Sequence, residues 1–153
     1  MSRTAPPIRP GHRRHQGAQQ LWIVFSGRAD HAWQRLLRPG FRHCFAALQD
    51  AAGWLVLDPL SGRLLLARVA VPSGYDLPGF YRRAGLTPVG PFHLHEDSTG
   101  ASLGWAPMNC VGICRAMLGP HAPFALTPAG LYQSLTGANK SRKKNLTRAR
   151  NQA

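Results

Sequence analysis

FRHCFAALQDAAGWLVLD, residues 41–58, decides the fold. Two apolar runs, 41–48 and 54–58, flank the segment Gln49 to Gly53, which has the composition of a turn, so the stretch reads as a β-hairpin. Side chains alternate along a strand, which places Phe41, His43 and Phe45 on one face and Arg42, Cys44 and Ala46 on the other. Asp58 ends the second strand, fifteen residues after His43 across a short turn. Both polar side chains are therefore expected near one end of neighbouring strands.

Working outward, LWIVFS (21–26) reads as a buried strand ended by Gly27. Asp30 is placed to cap a short helix, HAWQRLL, which Pro39-Gly40 stops. Downstream, Pro59, Ser61 and Gly62 form a turn and RLLLARVAV (63–71) returns as a fourth strand. Asp76 is expected to cap a helix over Leu77–Ala84, and Leu86–Leu94, interrupted by prolines, reads as an edge strand. A polar, Gly-rich loop over 96–107 leads to MNCVGICRAMLG, where Asn109 caps a helix that opens at Cys110 and stops at Gly119. Thr127 and Pro128 start a last short helix, PAGLYQSL. The order β-α-β-β-β-α-β-α-α, with antiparallel hairpins, predicts an α+β fold.

Length and charge divide the chain. At 153 residues and 44% apolar composition it has room for one domain around one core. The net charge is +13, but residues 1–15 carry four Arg and residues 137–153 carry Lys140, Arg142, Lys143, Lys144, Arg148 and Arg150, neither segment with an acid. Between them nine Arg face six acids. The expected organisation is a disordered basic arm over 1–20, one domain over 21–136 and a disordered basic tail over 137–153. Such a tail attracts phosphate backbones or acidic partners without sequence preference. No apolar run approaches the roughly 18–20 residues that span a bilayer. The N-terminus also lacks the apolar stretch of a secretory signal. The expected location is the cytoplasm or a virion assembled there.

Three cysteines, Cys44, Cys110 and Cys114, are an odd number, and with no signal sequence they argue against a disulfide framework. Cys110 is the one with a chemical position. At a helix N-terminus, unpaired backbone N–H groups and the positive end of the dipole favour a thiolate. Those N–H groups can also receive the oxyanion of an acyl-transfer intermediate. A nucleophilic thiol needs a base, and the base needs a group to orient it. His43 and Asp58 supply that pair, Asp58 holding the imidazole by its second ring nitrogen and favouring its cation. Gln34 is a conceivable second oxyanion donor.

A cysteine heading a helix, with His and Asp on adjacent antiparallel strands, resembles the papain-like superfamily. Because RHCFAAL precedes NCVGICRAML, the order is similar to the circularly permuted NlpC/P60-like branch, in which an Asn-Cys pair opening a helix is familiar. The resemblance rests on these short motifs. It implies a papain-like antiparallel sheet packed on the cysteine-bearing helix, with Cys110 as nucleophile, His43 as general base and Asp58 as orienting acid. The reaction implied is acyl transfer, most simply amide hydrolysis in a peptide or a peptidoglycan-like substrate. FSGRADHAWQRLLRPGFRHCFAAL, WLVLDPLSGR, NCVGICRAMLG and TPAGLYQSL also resemble small proteins encoded in phage and prophage tail regions. That likeness implies an alternative, a non-catalytic virion or accessory protein whose partners are phage structural proteins or nucleic acid reached through the tail.

Other constellations compete. Cys110 and Cys114, four apart on a helix, could join Cys44 and a histidine in a zinc site, although zinc knuckles use tighter spacing. His93 and His95 point the same way along a strand but lack an evident third ligand. Tyr81, Arg82 and Arg83 read as a solvated face, and Trp22, Trp33, Trp54 and Trp105 as core. No P-loop or dinucleotide fingerprint is present, and neither cofactor nor metal is expected.

Overall fold

The computed structural model describes residues 19–29, 32–60, 63–72, 74–94 and 109–137. Residues 1–18, 95–108 and 138–153, read above as arm, loop and tail, lie outside the described residues, as do Asp30, read as a cap, Ser61 and Gly62, read as turn residues, and with them Trp105, His95 and Glu96. The fold is α+β: a five-stranded antiparallel sheet with three α-helices. The strands are β1 (Gln19–Ser26), β2 (His43–Asp50), β3 (Gly53–Leu60), β4 (Arg63–Val69) and β5 (Thr87–Leu94), in the spatial order β4-β3-β2-β1-β5. The helices are α1 (Leu77–Arg83), α2 (Cys110–Leu118) and α3 (128–137).

The central strands β1 and β2 are covered on both faces, which is why their sequences run apolar instead of alternating. Leu21, Ile23, Phe25, Cys44, Ala46 and Leu48 face α2 and α3, where they meet Val111, Cys114, Leu131 and Leu135. Val24, Phe45, Ala47 and Trp54 face α1 and pack on Leu77. The Trp54 indole N–H donates to the Tyr75 carbonyl at 2.9 Å, which satisfies the polar atom of the largest core side chain.

Local chemistry sets the element ends. In the β2–β3 turn the Asp50 carboxylate accepts from the Ala52 N–H at 2.8 Å, and Gly53 takes φ +110°. Asp76, Asn109 and Thr127 each accept the N–H three residues ahead, capping α1, α2 and α3. Between Val89 and Phe92, β5 carries a β-bulge, Gly90 and Pro91 standing opposite Trp22 alone, and Gly90 is pressed there against β1.

The structure departs from the sequence-based expectation in several places. The segment after Asp30 forms a five-residue 3-10 turn, Ala32–Leu36, because Pro39 leaves no length for an α-helix. β2 begins at His43, not Phe41: Phe41 N–H turns back to the Arg38 carbonyl and Arg42 N–H to Ser26. β3 runs through Asp58 and Pro59 to Leu60. Pairing with β2 ends at Ala46–Leu57, so Pro59, which has no N–H to donate, lies where β3 has become an edge on that side. Trp33 is 59% exposed. Tyr81 is not part of a solvated face: its ring meets Phe45 edge-on at 5.4 Å.

Candidate active site

The site grows from the point where two central strands part. β1 and β2 stay paired as far as Ser26–His43, and β3 and β4 as far as Leu60–Arg63, but β2 and β3 separate beyond Ala46–Leu57. His43 and Asp58 stand on either side of that opening. Continuing the register would set Asp58 opposite Phe45, so His43 and Asp58 share the Phe45 face as diagonal neighbours. The His43 ring lies 6.4 Å from that of Phe45 and nearly parallel to it. His43 Nε2 and Asp58 Oδ1 are 2.6 Å apart, a short contact of the kind a charged pair makes.

Cys110 arrives from the other face as the first residue of α2. It packs beside the buried cluster that includes Cys44, yet its sulfur also lies near enough to His43 for the two to shift each other's proton affinity. The parted strands account for this double contact, since no continuous ladder separates the two faces at this end. With Nε2 held by Asp58, Nδ1 is the ring nitrogen left for the sulfur. The structure thus brings together all three residues expected from sequence, Cys110, His43 and Asp58.

Burial opposes the charge on His43. The hydrogen bond to Asp58 and the Asp58 charge, with a further contribution from Cys110, outweigh it and push His43 up to about 9. Cys110 is raised above the ordinary thiol range: its hydrogen bond with the Cys44 thiol and its burial both favour the neutral form. The His43 hydrogen bond and the Cys44 backbone pull it the other way. The resting arrangement near neutral pH is therefore an imidazolium–carboxylate pair beside a neutral thiol, rather than a thiolate formed by the helix end alone.

The cap of α2 uses only part of its first-turn donors. Asn109 accepts the Gly112 N–H with its side chain at 2.7 Å and the Ile113 N–H with its carbonyl at 3.1 Å. Of the first-turn N–H groups, the cap leaves those of Cys110 and Val111. Gln34 is buried in the 3-10 turn.

Three neighbours were not legible in the sequence. Cys44 touches Cys110 because its strand parity faces α2, and nothing in the sequence says which helix covers which face. Ser26 stands opposite His43 across the β1–β2 ladder, buried, its hydroxyl without a hydrogen-bond partner among the described residues. Tyr81 is raised by burial and then by the Asp58 charge, which puts its phenol on the same side of the sheet. Conversely, among the described residues no three of His, Cys, Asp and Glu are grouped to hold a metal ion. His93 is exposed on β5. No helix among the described residues is long and apolar enough to cross a membrane. No protein-family model, curated protein or solved structure matches the chain.

Proposed function

We propose that the chain is a cysteine-dependent amide hydrolase or acyl transferase, with Cys110 as nucleophile, His43 as base and Asp58 as orienting acid. One observation carries the reading. His43 stands between an acid and a helix-terminal thiol, bonded at 2.6 Å to Asp58 and near enough to Cys110 for the two to shift each other's proton affinity. A base in a relay needs a partner on each nitrogen, an acid on one side and the nucleophile on the other.

The chemistry follows from the proton count. At neutral pH the pair holds one proton on Cys110 and the full complement on His43. Loss of one proton from the ring leaves a neutral imidazole, which draws the Cys110 proton onto Nδ1 and so sets a thiolate beside imidazolium. The thiolate attacks the amide carbonyl carbon, and the oxyanion settles toward the N–H groups of Cys110 and Val111. His43 gives the Nδ1 proton to the leaving nitrogen as the C–N bond breaks, which leaves a thioester on Cys110. Water then gives a proton to Nδ1 and attacks the thioester, which releases a carboxylic acid that ionises in water and restores the thiolate–imidazolium pair. Throughout, Asp58 keeps the ring in place and offsets its charge.

The arrangement supports a permuted papain-like, NlpC/P60-like domain. The resemblance to NlpC/P60-like domains favours a peptide or peptidoglycan-like substrate, met in a cytoplasm or a virion. A second reading, a non-catalytic virion or accessory protein, is favoured by one feature: Cys110 packs against the core and its thiol is raised.

An activated ester separates the two. With p-nitrophenyl acetate, Cys110 of the native protein should become acetylated, seen by peptide mass mapping. Cys110→Ala should abolish that adduct, and His43→Ala should slow it on the order of 100-fold, the usual worth of a positioned base. A Cys110 that reacts only after denaturation transfers the assignment to the accessory protein.

A further inference from the structure

Cys44 and Cys110 come from distant parts of the chain, and the docking of α2 on β2 packs Cys110 against the buried cluster that holds Cys44, close enough for each thiol to shift the other's proton affinity. All three cysteines are free, and Cys114, one helical turn beyond Cys110, touches Cys44 from the other side. Nothing in the acyl-transfer chemistry uses Cys44. It is fully buried, whereas Cys110 is only partly so, at the open end between the parted strands. That contrast assigns different roles to the two sulfurs: one meets solutes, and the other waits behind it.

We propose that Cys110 and Cys44 are a thiol–disulfide site for hydroperoxides, in which Cys110 is oxidised and Cys44 resolves it into a reversible disulfide joining β2 to α2. The Cys110 sulfur attacks the distal peroxide oxygen, the O–O bond breaks, and water or an alcohol leaves with the thiol proton. Cys110 is then a sulfenic acid. The Cys44 sulfur attacks that sulfur, the S–O bond breaks, and water leaves with the Cys44 proton. Two thiols lose two electrons and one peroxide gains them. The nucleophile is then covered, and a dithiol reductant returns it.

The disulfide concerns the same Cys110 as the hydrolase reading, and only its consequence for activity rests on that reading. The test uses the full chain treated with hydrogen peroxide. The expected product has lost two hydrogens, and its peptide map links the fragment starting at His43 to the one ending at Arg115. Fragment ions should place the bridge at Cys110. Alkylation of Cys110 by iodoacetamide should fall at least tenfold and return with dithiothreitol. Cys114→Ser should keep the link and Cys110→Ser should lose it. In Cys44→Ala, peroxide should carry Cys110 to a sulfinic acid that dithiothreitol does not reverse.

A wild-type protein that goes directly to the sulfinic acid, or a link that persists in Cys110→Ser, overturns the proposal. Acetylation of Cys110 by p-nitrophenyl acetate without any peroxide link defeats the disulfide and leaves the hydrolase. A link without acetylation does the reverse.

Discussion

His43 stands under two opposing influences, burial against its charge and Asp58 for it, and the second prevails. The outcome has a sign. Asp58 makes the ring hold its proton, so Cys110 acetylation should rise with pH along a limb near 9, not near the 6.5 of a free imidazole. Asp58→Asn keeps a hydrogen-bond acceptor but removes the charge, and should move that limb toward lower pH. A limb unmoved by the substitution would mean that Asp58 does not govern the ring. Stability follows the same linkage. A folded value raised above the unfolded one stabilises fully below about 6.5, and the benefit disappears as pH rises through about 9. The gap in Tm between wild type and Asp58→Asn should therefore narrow across that window, which a series of thermal melts reads directly. Pairing His43 with Asp58 was within reach of the sequence, because a hairpin places them near one strand end. The role of Cys44 was not, since strand parity says that it faces away from His43 but not what covers that face.

At the scale of elements, α2 depends on a cap that the dipeptide Asn109-Cys110 announces. Asn109→Ala removes the acceptor for the Gly112 N–H and should cost about 1 kcal/mol in urea unfolding. Two sites of purely tertiary origin should cost more. Leu131 is fully buried between α3 and the sheet, and Leu131→Ala should cost about 3 kcal/mol through lost burial and the cavity left behind. At Gly90, with φ +150°, an added Cβ would lie 2.8 Å from the Leu21 carbonyl oxygen and 3.0 Å from the Trp22 ring. Gly90→Ala should therefore destabilise by more than the roughly 1 kcal/mol by which a compatible glycine replacement changes stability. If it is neutral, the β5 bulge does not press on β1. The sequence located β5 as a proline-bearing edge strand, and Gly90-Pro91 inside it is the local mark of the bulge, but strand pairing decides what the bulge presses against.

For the whole molecule, charge is read from composition alone. Deleting residues 138–153 removes six Lys and Arg. If those charges meet duplex DNA, the slope of log Kobs against log salt should shrink by up to about 5, measured by anisotropy titrations at several salt concentrations. An unchanged slope would put any nucleic-acid contact on the rest of the chain. The strand and helix periodicities, the caps at Asp76, Asn109 and Thr127, and the turn ending at Gly53 are local, each set by neighbours within a few residues, so the sequence by itself determined them and with them the α+β class. RLLLARV shows the limit. It reads as apolar as β1, yet Leu64, Leu65 and Leu66 are 45%, 45% and 60% exposed, because β4 is an edge strand of the sheet. Only the tertiary structure decided that, and only it decided that β2 and β3 part beside His43 so that a thiol on one face can reach an imidazole on the other. Burial and juxtaposition depend on which elements stack, a contest of long-range packing free energies that no short window of sequence contains.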